Sequence, residues 1–268
     1  MTLDADRPID PVQVEAGPVP GGVPDTGSPE AVAAPGPRLA ERLASFAEVV
    51  FCSGLPSQVL LALILQALGW APLEPDGRLS LRYVVTISLL DSVLVVSLAV
   101  LFLVTRGERW QDVFFGGRRP LREVGVGVAA APAILLGVAA VGTLLRAVFP
   151  WLHNVPDNPF AALMKTPEGL AIFAIVVVIA GGVREEVQRA FVLHRFRQHL
   201  GGATFGLWLF SLAFGLGHLV QGYDAAILTG LLGFAWGVLY LRRGSVVAPM
   251  VSHSLFNLLE VLREALTV

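Results

Sequence analysis

The chain is poor in charge and almost without cysteine. Asp, Glu, Lys and Arg make up 15% of its 268 residues against 54% hydrophobic residues. Soluble domains carry about 25% charge, so this composition excludes an ordinary water-soluble globule and indicates a membrane protein. The net charge of -2 leaves no electrostatic footprint for nucleic acid. Cys52 is the single cysteine, so no internal disulfide frames the fold and the residue reads as an apolar filler at a helix start. No repeat of fixed period is present, and the zinc-protease signature H-E-x-x-H is missing. The N-terminal stretch has neither the basic start nor the apolar run of a signal peptide, which leaves targeting to the first span.

Residues 1–37 hold eight prolines, scattered glycines, six acids and one base, Arg7. Such a segment cannot bury a core and is expected to be a disordered tail, followed by a transmembrane helical domain over 38–268. Arg38 to Val50 mixes charge with apolar residues at helical spacing, the pattern of an amphipathic lead-in at the membrane surface. Seven apolar stretches follow. They run from Phe51 to Trp70, Tyr83 to Thr105, Val124 to Phe149 with a kink expected at Pro132, Leu170 into a glutamate pair, Ala203 to Val220, Ala225 to Leu241, and Val246 to Leu266. Most approach the roughly 20 residues that cross a bilayer. The expected architecture is therefore all-α, a polytopic bundle of about seven spans. Gly230, Gly233 and Gly237 mark one side of the sixth span for close helix packing.

Arginines fill three connections: 106–122, the stretch with Arg195 and Arg197, and Arg242 with Arg243. By the positive-inside rule these are cytoplasmic, which puts the N-terminus inside and the C-terminus outside. The connections 71–82, 150–168 and 221–224 then face outward.

Ionisable side chains within spans are costly, about 2.5–3.5 kcal/mol each on insertion scales, and mark sites by default. Three clusters stand out: Arg184-Glu185-Glu186-Val187-Gln188-Arg189, Phe214 to His218, and His253 to Asn257. Glu185 and Arg189 lie four apart, on one helical face, where an ion pair is natural. The bland alternative is a solvated helix end; the functional one is a general base beside a cation in a low-dielectric cleft. A lone buried histidine is more often structural than not, but two histidines with a carboxylate suit a water-activating site. His253 and Asn257 are one turn apart and project together. Glu185, His218 and His253 would supply a divalent metal, zinc by preference, with three ligands and one open position. Asp91 and Arg146, in or near spans, have no motif around them; Asp91 either lines the cavity or pairs within the bundle.

These motifs resemble the CPBP family of CAAX-protease and bacteriocin-processing (Abi) intramembrane proteases. Its pattern is E-E-x-x-x-R, then F-x-x-x-H, then H-x-x-x-N, on successive helices. Phe214–His218 and His253–Asn257 match the second and third, and Leu239 to His253 is also family-like. The resemblance covers about 170–259. The first motif departs: with Arg189 as the family arginine, Arg184 takes the first glutamate slot and Glu185 the second. With Glu185 and Glu186 as the pair, Arg189 comes one residue early. The resemblance implies a membrane-embedded endopeptidase with Glu185 or Glu186 as base, Glu185 favoured by its spacing to Arg189. It implies that His218 and His253 position the water or a metal, and that Asn257 stabilises the oxyanion. Implied partners are the lipid bilayer and a peptide or protein substrate, prenylated or a precursor peptide, in a bacterial-type plasma membrane. Two rivals stay open: a non-catalytic scaffold or immunity-type protein derived from such proteases, and a proton-coupled transporter.

Overall fold

A computed structural model describes residues 37–267; the expected N-terminal tail falls outside them apart from Pro37. Among the described residues the regular structure is helical, with one β-bridge, Leu73 to Leu79, closing the turn that precedes the first long span. The helices are α1 (Leu39–Phe51), α2 (Leu55–Ala67), α3 (Leu81–Thr105), α4 (Trp110–Phe115), α5 (Pro120–Val148), α6 (Pro167–Val176), α7 (Glu185–His199), α8 (Ala203–Leu216), α9 (Tyr223–Arg243) and α10 (Val247–Thr267). A π-helical segment, Val177–Arg184, joins α6 to α7 without a break.

Among the described residues three helices are long and apolar enough to cross a bilayer: α3, α5 and α9. A fourth crossing exists if α1 and α2, bent by 43°, count as one. The expected first span is thus divided. Its first residue, Phe51, closes α1, and the chain turns at Gly54, whose φ of 84° is open to glycine at little cost. The expected fifth span is only the 14 residues of α8. The seventh, α10, carries Glu260, Arg263 and Glu264 in its last turns, more charge than a plain spanning helix tolerates. α5 continues through Pro132 as one helix. The structure accordingly gives a helical membrane bundle with three apolar spans, or four, rather than seven of equal standing.

α7 is the hub. Its hydrophobic pattern has no preferred side, and ten of its 15 residues are buried, including Glu186, Arg189 and Arg195. A helix buried all round must satisfy its charged groups internally. Arg195, fully buried, does so by reaching Glu48 of α1 at 2.5 Å, Glu108 beyond α3, and the Phe102 carbonyl at 3.1 Å. Burial pushes the Glu108 carboxyl up, but hydrogen bonds from His194 and Arg195 outweigh it and hold the group below the usual carboxylate range. Arg195 therefore belongs to the interior of a helix rather than to a loop, and its weight in the charge-bias argument falls.

The glycines of α9 pack as expected. Cβ atoms on Gly230, Gly233 and Gly237 would press on Ser211, Phe214 and Leu207, all from α8. α5 meets α10 as closely, since a Cβ on Gly127 would lie 2.5 Å from the Ala248 carbonyl oxygen. On the side of the bundle opposite Arg195, Asp224 gathers Arg146 at 3.0 Å and His153 at 2.9 Å, tying the 149–155 turn to the start of α9. Arg146 thereby has a structural partner.

Candidate active site

The site is built where the π-helical segment crosses α10. Thr166 caps α6 by accepting a hydrogen bond from the Gly169 amide at 3.0 Å, and Pro167 fits the first helical turn. Ten residues on, the helix widens into i→i+5 bonding from Val177 to Arg184, a form that recurs at functional sites. Gly181 and Gly182 let its backbone lie directly against α10. A Cβ on Gly181 would collide with the Asn257 amide and stand 3.9 Å from His253 Nε2; one on Gly182 would collide with Ser254. Asn257 donates from Nδ2 to the Val177 carbonyl at 3.3 Å. The one-turn spacing of His253 and Asn257 does place both on the face that meets the glutamate-bearing helix.

His253 is 3% exposed and stacked on Trp236, with ring centroids 3.6 Å apart. Its Nδ1 lies 2.8 Å from Glu186 Oε1. A carboxylate only accepts, so Nδ1 carries a proton toward Glu186 and the ring turns Nε2 the other way. There it meets Glu185, whose Oε2 is 3.7 Å from Nε2. The two glutamates thus bracket one imidazole from its two nitrogens. Neighbouring residues on a helix point about 100° apart, which suggests that only one can face a given group. An imidazole with a nitrogen on each of two edges escapes that exclusion.

The expected Glu185–Arg189 ion pair does not form. Arg189 instead pairs with Glu186, three residues before it, and both side chains are fully buried. The Arg189 guanidinium lies 5.3, 5.0 and 5.9 Å from the ring centres of Phe210, Phe214 and Trp236, which surround it with aromatic faces. Among the described residues no arginine or lysine pairs with Glu185, whose side chain is 19% exposed. The solvated-helix-end alternative is excluded by the burial of Arg184, Glu186 and Arg189, at 8%, 1% and 0% exposure.

His218 stands just past the end of α8 and is half-buried, with its Nδ1 2.8 Å from the Phe214 carbonyl. That bond fixes Nδ1–H and leaves Nε2 free. The Phe214 ring touches both histidines, at 4.9 Å from His218 and 6.4 Å from His253 between centroids. Among the described residues, no hydrogen bond or ion pair joins His218 to Glu185 or Glu186. Nor does any group of three His, Cys, Asp or Glu residues converge as a metal ion requires. The donor set Glu185, His218, His253 does not fit a three-ligand metal in this arrangement.

The sequence gives no sign of two contributors. Trp236 reads as one more apolar residue of a span, although its ring platform orients His253. The π-helical register of 177–184 leaves no compositional trace beyond the Gly181-Gly182 pair. Arg184 and Asp91, each without an evident partner in the sequence, find one another at 2.5 Å.

No curated protein and no solved structure matches the chain. Residues 167–259 match the family model described as type II CAAX prenyl endopeptidase Rce1-like, from the Thr166-capped start of α6 to just beyond Asn257. The matched segment, about a third of the chain, holds Glu185, Glu186, Arg189, His218, Trp236, His253 and Asn257, and it is this segment that is similar to the CAAX-protease family.

Proposed function

We propose that the chain is an intramembrane endopeptidase that hydrolyses a peptide bond with a water molecule activated by Glu185 and His253. The carrying observation is the 3.7 Å between Glu185 Oε2 and His253 Nε2, too long for a direct hydrogen bond and suited to a bridging water. In the step proposed, the water oxygen attacks the scissile carbonyl carbon and gives a proton to Glu185. That proton passes to the amide nitrogen as the C–N bond breaks. His253, its tautomer fixed by Glu186, orients the water. His218 Nε2 supplies a second donor or acceptor at the reacting carbonyl, and Asn257 steadies the developing oxyanion. No step is drawn through a metal, because the donors do not converge on one point. The substrate is a membrane-associated peptide or protein, a prenylated CAAX terminus or a precursor peptide, and the setting is a bacterial-type plasma membrane.

The test is cleavage of an internally quenched, farnesylated CAAX peptide by the purified chain in detergent. Wild type should cleave it; His218→Ala should lose about 10²-fold, the ordinary worth of one acid–base group. EDTA and 1,10-phenanthroline should leave the rate unchanged. Loss on chelation, restored by zinc, would overturn the metal-free step. An inert wild type, on this peptide and on unprenylated precursor peptides alike, would leave the scaffold reading.

The topology belongs to the same proposal: seven crossings, with 106–122 cytoplasmic and 150–168 outside. Cysteines placed in 150–168 should react with an impermeant maleimide in intact cells and those in 106–122 should not. Cys52, fully buried, gives no background. Labelling at 106–122 in intact cells sinks this topology.

A further inference from the structure

In the register that takes Arg189 as the family arginine, Arg184 stands in the first glutamate slot, and the structure supplies a partner for it. Its Nη2 donates to Asp91 Oδ2 at 2.5 Å, and both residues are buried, at 8% and 3% exposure. Asp91 sits at the middle of α3 and is itself held. Gln58 of α2 donates to Oδ2 at 3.3 Å, and the Ser57 hydroxyl lies against Oδ1 and 2.9 Å from the Gly54 carbonyl. Gly54 is where α1 turns into α2, and a Cβ there would run into the Arg184 guanidinium. One turn further along α7, Gln188 Nε2 donates to the Cys52 carbonyl at 2.7 Å, at the same elbow.

Arg184 and Gln188 are four apart and share a helix face, which is gripped by α3 and the α1–α2 elbow. Glu186 and Arg189, three apart, share another face, held by His253 and the aromatic rings. Glu185 lies next to Arg184, where the π-helical segment ends and ordinary α-helical bonding begins. A buried ion pair returns little more than the desolvation it costs, so net stability is a weak reason for it; fixing one arrangement over its neighbours is a better-attested use.

We propose that the Asp91–Arg184 pair is a positioning device for Glu185: it pins the rotation of the helix so that the Glu185 carboxylate faces His253 Nε2. The role of Arg184 in this chain is then structural support of the base, acting through α3 rather than on substrate. The proposal rests on the hydrolase reading for its kinetic arm alone.

The test uses the full chain in detergent with Asp91→Asn and Arg184→Gln combined, which removes both charges and strands neither. Hydrogen exchange read by mass spectrometry should quicken about tenfold in peptides spanning 177–186, with other helices and the unfolding midpoint unmoved. On the farnesylated peptide kcat should fall about 10²-fold with KM unchanged, the mark of lost alignment rather than lost binding. Arg184→Lys, which keeps the ion pair, should recover most of kcat. Should the double variant not fold, Ser57→Ala loosens Asp91 alone and should shift exchange in the same segment by a smaller factor. Unchanged exchange at 177–186 overturns the proposal whatever the activity, as does faster exchange with unchanged kcat. A wild type that cleaves nothing refutes the hydrolase reading, while the exchange arm still decides this one.

Discussion

Glu185→Gln abolishes peptide cleavage and leaves the protein folded. The substitution keeps the size of the side chain and removes only its capacity to take a proton. Among the described residues no arginine or lysine pairs with Glu185, and its oxygen lies 3.7 Å from His253 Nε2. A general base is worth about 10²–10⁴-fold, so the residual rate should fall by that much with the unfolding midpoint unmoved. The comparison variant is Glu186→Gln measured in the same preparation. Should Glu186→Gln be the inert one and Glu185→Gln retain its rate, the roles of the two carboxylates are exchanged. Equal rates in both variants and wild type would remove the enzyme assignment.

Glu186→Gln acts instead on stability. Glu186 is wholly buried and is both the counter-charge of Arg189 and the acceptor for His253 Nδ1. Neutralising it strands a fully buried guanidinium among Phe210, Phe214 and Trp236, whose faces compensate only part of the lost charge. Breaking one side of a buried pair costs about 3–5 kcal/mol, which should appear as a large drop in unfolding midpoint and a poor yield of folded protein. The fraction that folds should keep more activity than Glu185→Gln does. A midpoint equal to wild type would mean that Arg189 is held by its aromatic surroundings alone.

What the sequence made legible follows from which interactions are local. Helical content, the positions of α3, α5 and α9, and the coming together of His253 with the glutamates are carried by apolar runs and short motifs, and these were readable. The partner of Arg189 was not. Spacings of three and four residues are both geometrically allowed, and Glu186 prevails because its face of α7 is the one enclosed by Trp236 and Phe214, which lie 47 and 25 residues further along the chain. The Arg184–Asp91 contact spans 93 residues between two helices, and nothing local encodes it. The division of the first span at Gly54 is hidden in the sequence for a different reason. Hydropathy averages over a window, and a single residue at φ 84° turns the chain without changing the average.

The shortness of α8 bears on where the second reactant comes from. Fourteen residues rise about 21 Å at 1.5 Å each, well short of ~30 Å of hydrocarbon. A bilayer meets a helix shorter than itself by thinning around it, which draws headgroups and the water among them inward. The end of α8 is where half-buried His218 stands. For a hydrolase in this fold, thinning of that kind would carry water toward the depth at which His218 stands.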